Sequence, residues 1–399
     1  MQLSMANLSA VYRAYPSQFW VLWVGTLINR LGEFVVPLLG FYLVSALDMS
    51  TVQVSLVLGV LGVGRFVAEG LGGTLSDRLG TGATMILALS GGAVMLLGLS
   101  TATSFPGVLL GTLLFSLFTA LYKPAASSAV AELTSGAQRT RAYNLLYWAI
   151  NVGASVAPAL GGWLSGISFR LLFYLDAATM AVYALLLGLA HRKTRRPARS
   201  REHKATLLPR DPLLWSFCLA SLLFGMTYQS YKLLALVFAQ QGFSAVQYGQ
   251  ALSVNGLIVV LLGLPLGHAI SLSNHPRWQA AGALLLGAGF LIHAFAQTFG
   301  VHLAAIFVWS LGEVVAYSIS KSIIAELGPP EQRGSYIGLV GSMAGLATLL
   351  APLLGGVILA RFGAGPLWIS VAGLAFLAAL MYWRLEPAVT RRRTRAAPA

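Results

Sequence analysis

The sequence repeats itself at a fixed spacing. Ala131-Glu132-Leu133 returns as Ala325-Glu326-Leu327, Gln138-Arg139 as Gln332-Arg333, and Ala157-Pro158-x-Leu160-Gly161-Gly162 as Ala351-Pro352-x-Leu354-Gly355-Gly356. All three pairs are 194 residues apart (325 − 131, 332 − 138 and 352 − 158), with no gap between them. A repeat of about half the chain predicts two homologous units that share one interface. The chain is 57% hydrophobic and only 10% charged, where a soluble domain carries about 25% charged residues. A soluble fold of this length has nowhere to hide so much apolar surface. The two units are therefore expected to be membrane halves placed around a shared midplane.

Apolar runs long enough to span a bilayer fall in twelve segments, near 18–45, 51–76, 83–102, 106–132, 141–165, 170–190, 213–240, 245–271, 278–298, 301–326, 335–360 and 366–384. The predicted fold is all-α and integral to the membrane, with twelve transmembrane helices in two pseudo-symmetric six-helix halves. The expected organisation is an N-terminal half over 1–191, a basic linker over 192–212, a C-terminal half over 213–385 and a basic tail over 386–399. The formal charge of +14 is a matter of topology. Loops that share a side with the termini hold nearly all the Arg and Lys outside the segments, whereas the other side holds only Arg170 and Arg361. That bias predicts both termini in the cytoplasm. It also gives attraction to anionic lipid and argues against nucleic-acid binding. No cleavable signal peptide is expected, because the first apolar run is too long. With Cys218 as the single cysteine, no internal disulfide or cysteine-based metal framework is possible.

The turn after segment 2 reads Gly72-Gly73-Thr74-Leu75-Ser76-Asp77-Arg78-Leu79-Gly80. Gly73-x-Leu75-Ser76-Asp77-Arg78-x-Gly80 resembles the loop 2–3 signature of the major facilitator superfamily. Segment 5 carries Gly153-x-x-x-Ala157-Pro158-x-x-Gly161-Gly162. This resembles the signature associated with the antiporter branch, with Ala157 in place of a glycine. The chain thus resembles superfamily transporters from about Ser17 to Arg384, most closely the drug:proton antiporters. The resemblance implies a cytoplasmic latch at Gly73, Asp77, Arg78 and Gly80. Thr81-Gly82 stands where the family usually has two basic residues, so a second ionic contact of that latch is missing. At segment 5, Gly153, Pro158, Gly161 and Gly162 are read as a close helix-packing seam, and the motif favours export.

Ionisable groups at membrane depth are costly and mark functional sites. Segment 1 holds Asn29, Arg30 and Glu33 on one broad face, and Pro37 frees the Glu33 carbonyl, which predicts a break there. Segment 2 holds Arg65 and Glu69. Segment 4 offers Tyr122 and Lys123, and segment 7 offers Tyr228, Gln229, Tyr231 and Lys232. Segment 10 carries Glu313, Tyr317 and Lys321 as one polar stripe. In the superfamily, helices 1, 4, 7 and 10 line the central cavity, so the resemblance assigns most of these residues to it. Glu33, Glu69 and Glu313 are the proton-coupling candidates, with Arg30 tuning Glu33. The alternative is a permanent Arg30–Glu33 or Arg65–Glu69 ion pair that stabilises its own helix. Asp176, Glu132 and Glu326 are read as structural. The excess of base over acid, together with the tyrosines and Trp309, points to an amphipathic, neutral or anionic molecule more than to a simple organic cation.

His268, His293 and His302 lack metal-ligand spacing. No nucleotide-binding or hydrolase motif is present, so neither a cofactor nor an enzymatic activity is expected. The expected activity is proton-coupled export of a small amphipathic molecule by a monomer. The alternatives are a facilitator or proton symporter that imports a nutrient such as a sugar or organic acid, and a membrane sensor that does not transport.

Overall fold

The computed structural model describes residues 14–191, 210–273, 275–329 and 332–396. They form fifteen α-helices and one 3-10 turn, with no strand among the described residues. In chain order these are α1 (Ser17–Leu31), α2 (Val35–Ser45), α3 (Thr51–Leu79), α4 (Thr81–Leu99), α5 (Phe105–Ala120), α6 (Tyr122–Leu133), α7 (Gly136–Ser165) and α8 (Phe169–His191). After residues 192–209 come α9 (Pro212–Gln229), the 3-10 turn (Ser230–Leu233), α10 (Leu234–Gln240), α11 (Ala245–Ser273), α12 (Arg277–His293), α13 (Phe299–Leu327), α14 (Arg333–Phe362) and α15 (Ala364–Ala396). Ten helical stretches are long and apolar enough to cross a membrane; α1–α2, α5–α6 and α9–α10 each count as one broken rod. Of the other two expected spans, α3 is apolar over Thr51–Val67, the side chains of 68–74 lying outside the described residues, and α12 ends at His293 after 17 residues.

Two of the breaks follow from proline. A proline has no N–H, so inside a helix it orphans the carbonyl four residues earlier. Restarting the helix just ahead of it moves the proline into a first turn, where an N–H has no partner anyway. The chain does this twice, with Pro37 in the first turn of α2 and Pro124 in the first turn of α6. The break in the third rod, the 3-10 turn after α9, contains no proline. Gly80 sits between α3 and α4 at φ 86°, a conformation that only glycine adopts without strain.

The helices before and after residues 192–209 meet along two seams, α3 against α14 and α7 against α11. Small residues make these seams backbone-close. A methyl group on Gly62 would stand 2.3 Å from the Leu349 nitrogen, and one on Gly256 would stand 2.5 Å from the Ser155 Cα. These contacts obey the sequence repeat. Adding 194 to Gly62 and subtracting it from Leu349 gives Gly256 and Ser155. The same operation converts Gly59 against Leu353 into Ser253 against Ala159, and Ser55 against Gly356 into Gly249 against Gly162. It also relates two helix starts. Ser50 and Gln53 form a reciprocal capping box on α3, and Ser244 and Gln247 make the matching bonds ahead of α11.

Both seams lie toward one end of the bundle. The other end carries residue 14 and the end of α15, and is called here the terminal end. Among the described glycine contacts, the one between α14 and α3 furthest in that direction is Gly345 against Phe66, and the one between α11 and α7 is Gly256 against Ser155. Two turns further on, Gly338 and Gly263 have nothing within 4 Å of where a Cβ would lie. Among the described residues, the two sets of helices thus press together toward the far end and leave open space at Gly338 and Gly263 toward the terminal end. The far end is also closed by α2 and α10, where a methyl group on Gly40 would lie 3.1 Å from the Ala235 Cβ. Phe41 stacks on Tyr248 beside it.

At the terminal end α15 runs as helix through Ala396, past Pro387. Glu386 pairs with His275 and Arg277, and Arg392 pairs with Asp211. These contacts hold the basic extension against the ends of α9, α12 and α13.

Candidate substrate and proton site

The break at residues 32–34 of the first rod brings its polar residues together. Arg30 and Glu33 form an ion pair, both side chains partly exposed. The new N-terminus at Val35 leaves a backbone N–H unpaired by the helix, and buried Asp176 of α8 accepts it at 3.2 Å. Asn29, Arg30, Glu33, Tyr122 and Asp176 converge on a small cavity of ≈ 70 Å³ between α1, α4, α5 and α8. Beside it the hydroxyls of Thr26, Tyr122 and Tyr183 lie 2.8–3.2 Å apart.

In the C-terminal set the acidic centre is Glu313 of α13. Its Oε1 accepts from the Tyr228 hydroxyl at 2.9 Å and its Oε2 from Asn255 Nδ2 at 2.8 Å. Asn255 also donates to Ser310. Around this centre Tyr228 lies against Tyr231, Tyr317 and Trp309 with ring centroids 5.6, 5.7 and 6.4 Å away. The two acidic centres share a neighbour. Tyr231 on the 3-10 turn lies within Coulombic reach of Glu33, Glu313 and Arg65. Lys232, next to it, lies within reach of Arg65 of α3.

The arrangement has the parts of an alternating-access carrier: two related helix sets, a closure at one end and titratable groups between them. The family model described as Major Facilitator Superfamily matches residues 22–270 and 233–399, which together span nearly the whole chain. The chain belongs to the Major Facilitator Superfamily. It is therefore a transporter and not an enzyme, and a multi-pass protein of the cell membrane. It is 24% identical to the uncharacterized MFS-type transporter YqjV of Bacillus subtilis, over 94% of this chain and 96% of that one. It is 27% identical to the multidrug resistance protein MdtH of Aeromonas hydrophila, over 84% and 86% respectively. A crystal structure of the peptide transporter POT in complex with sulfate superposes with a TM-score of 0.82 at 16% identity, covering 94% of this chain and 96% of that one. At that identity the likeness is one of fold.

The expected residues of this superfamily member fall in different surroundings. Tyr122 lines the small cavity with Glu33 and is buried in the hydroxyl cluster with Thr26 and Tyr183. Gln229 is buried at the end of α9, and Lys123 is exposed. Trp309 is buried and stacks on Phe290 at 5.7 Å, so it backs the tyrosine wall instead of facing the cavity. Tyr317 is exposed to the cavity side beside Phe224. The seam residues of the segment 5 motif divide their contacts. Gly153 packs on Arg30 and Gly161 on Leu38, whereas Pro158 and Gly162 meet Gly249 across the seam. In the latch, Arg78 is exposed at the end of α3. Gly73 and the side chains of Glu69, Asp77, Lys321 and Glu326 lie outside the described residues. Glu132 accepts from Thr81 at 3.0 Å and ties α6 to α4.

Sequence reasoning missed Asn255, a single amide in an apolar run whose only signal was its isolation. It also gave no partners for His293 and His302. Their Nδ1 atoms lie 2.8 Å apart, and His302 Nε2 lies 2.7 Å from Gln241 Oε1. Gln241 Nε2 in turn donates to the Ala296 carbonyl, so the cluster fixes the end of α10 to the α12–α13 turn.

Proposed function

We propose that this transporter exports small amphipathic molecules in exchange for protons by alternating access. In this reading it works as a monomer of twelve transmembrane helices with both termini in the cytoplasm. The supporting observation is the seam geometry: among the described residues the two helix sets press together toward the far end and leave open space toward the terminal end, with Glu33 and Glu313 between them. With the termini in the cytoplasm, this is the inward-open member of the cycle. Pivoting about the glycine contacts closes the terminal end and opens the far end.

Glu33 is the principal proton carrier in this reading. Its carboxylate is held by Arg30 beside a cavity large enough for a few water molecules. A substrate that draws Arg30 away leaves Glu33 free to take a proton. Glu313, held by neutral donors from Tyr228 and Asn255, is the second candidate. The segment 5 motif and the similarity to the multidrug resistance protein MdtH favour export over import.

Proteoliposomes test the reading. Counterflow of 4-phenylbutyrate, 4-phenylbutanol and 4-phenylbutylamine is followed with and without an imposed pH gradient. Uphill movement that requires the gradient is expected, together with its loss in Glu33→Gln. Equilibration indifferent to pH selects the facilitator instead, and undiminished substrate-driven proton release by Glu33→Gln removes Glu33 from the coupling role.

A further inference from the structure

The charges of the central cavity are unequally satisfied. On the acidic side every described carboxylate is engaged. Glu33 is paired with Arg30, Asp176 accepts the Val35 N–H, and Glu313 has a donor on each oxygen. On the basic side Lys232 stands apart. It lies on the 3-10 turn between α9 and α10, only partly exposed, at the closed end of the cavity. The Lys232 carbonyl is 3.7 Å from where a Cβ on Gly40 would lie, so its turn packs directly under the α2–α10 closure. Among the described residues no carboxylate and no hydrogen-bond acceptor meets its ammonium group. The charge within its reach is Arg65, of the same sign.

An ammonium group held partly away from water, with no carboxylate beside it, favours an anion as its partner. The same turn presents Tyr231, and with Tyr228 and Tyr317 it makes a continuous aromatic wall toward Glu313. A ligand that satisfies both features has an anionic head for Lys232 and an apolar or aromatic body for the tyrosines. A cation in the same place meets Lys232 as a like charge and finds the described carboxylates already held.

We propose that Lys232 is the head-group contact of the transport site and that the substrate is an amphipathic organic monoanion, a carboxylate or sulfonate with an aromatic or branched apolar body. The proposal rests on the central cavity being the transport site, as in the function above, but not on proton coupling.

Three probes with one body and different heads test it on the purified full-length protein: 4-phenylbutyrate, 4-phenylbutanol and 4-phenylbutylamine. Affinities are read by calorimetry or by the shift of the melting temperature. Wild type and Lys232→Arg are expected to prefer the anion over the amine by about tenfold or more. Lys232→Met is expected to lose that preference while binding the alcohol as wild type does, which shows that it is folded. The proposal is overturned if the amine binds as well as the anion, if Lys232→Met keeps the preference, or if the wild type does not bind the anion. Anion preference without any proton flux would sink the export reading and leave this one standing.

Discussion

A methyl group on Gly62 would stand 2.3 Å from the backbone nitrogen of Leu349, and its repeat mate Gly256 is equally pressed against Ser155. Backbone cannot yield as a side-chain tip can, so Gly62→Val must push α3 and α14 apart at the closed end. Overpacking of this kind costs about 1–3 kcal/mol. Ala235 lies buried under that closure. In a Cys218→Ser background, an Ala235→Cys reporter should react with a polar maleimide several-fold faster when Gly62→Val is present. Gly338→Val, in open space, should leave the rate unchanged. Equal rates in all three proteins would refute the closure.

Asp176 holds the restart of the first rod through the Val35 amide, so it needs an acceptor oxygen and not a charge. Asp176→Asn can keep that oxygen, whereas Asp176→Leu cannot. The leucine variant should lose about 1–3 kcal/mol, the scale of a buried donor left unpaired, and the asparagine variant clearly less. Hydrogen exchange at Val35 should rise only in the leucine variant. Equal losses in the two would show that the charge of Asp176 matters instead.

What the sequence made legible was whatever repeats or is forced by backbone chemistry. Pro37 announced the break before Val35, because a missing N–H is a property of the residue alone. The 194-residue offset, seen first in Ala-Pro-x-Leu-Gly-Gly, reappears in space as the pairing of Gly62 with Leu349 and of Gly256 with Ser155. Side-chain direction was not legible. Tyr122 lines the small cavity beside Glu33, but nothing in its spacing announced the hydroxyl cluster it forms with Thr26 and Tyr183. Asn255 gave no hint of Glu313, because the two are 58 residues apart and on different helices. Which ion pair forms in segment 1 could only be posed as an alternative, since Glu33 has no partner fixed by spacing alone.

The matched caps provide an internal control. Ser50 and Ser244 are equivalent by the repeat, and each accepts from the backbone N–H of a glutamine three residues on. Alanine at either should cost about 1 kcal/mol. The caps share no partner, so the double variant should lose the sum. A loss confined to one of the two would mean that the repeat is preserved in geometry but not in energetics, and melting curves of the three variants in detergent decide it.

Outside the membrane, Asp211 sets a pH limit on the terminal end. Its carboxylate caps α9 through the Leu213 N–H at 3.1 Å and accepts from Tyr336 at 2.8 Å and from Arg392, which also donates to the Leu327 carbonyl at 3.0 Å. Burial alone would raise this carboxyl, but the hydrogen bonds from Arg392 and Tyr336 outweigh it and hold the group below its ordinary value of 3.8. A carboxylate whose folded value is depressed contributes stability that is complete above the unfolded value and disappears as pH falls through the folded one. Asp211→Asn should therefore lower stability by about 1–2 kcal/mol at neutral pH. The gap between wild type and variant should stay constant from pH 8 to about pH 5 and close below about pH 4. Arg392→Gln should show the same closing gap, because it removes the other half of the pair. A gap that persists unchanged at pH 3 would mean that Asp211 acts only as a neutral helix cap, with no contribution from its charge.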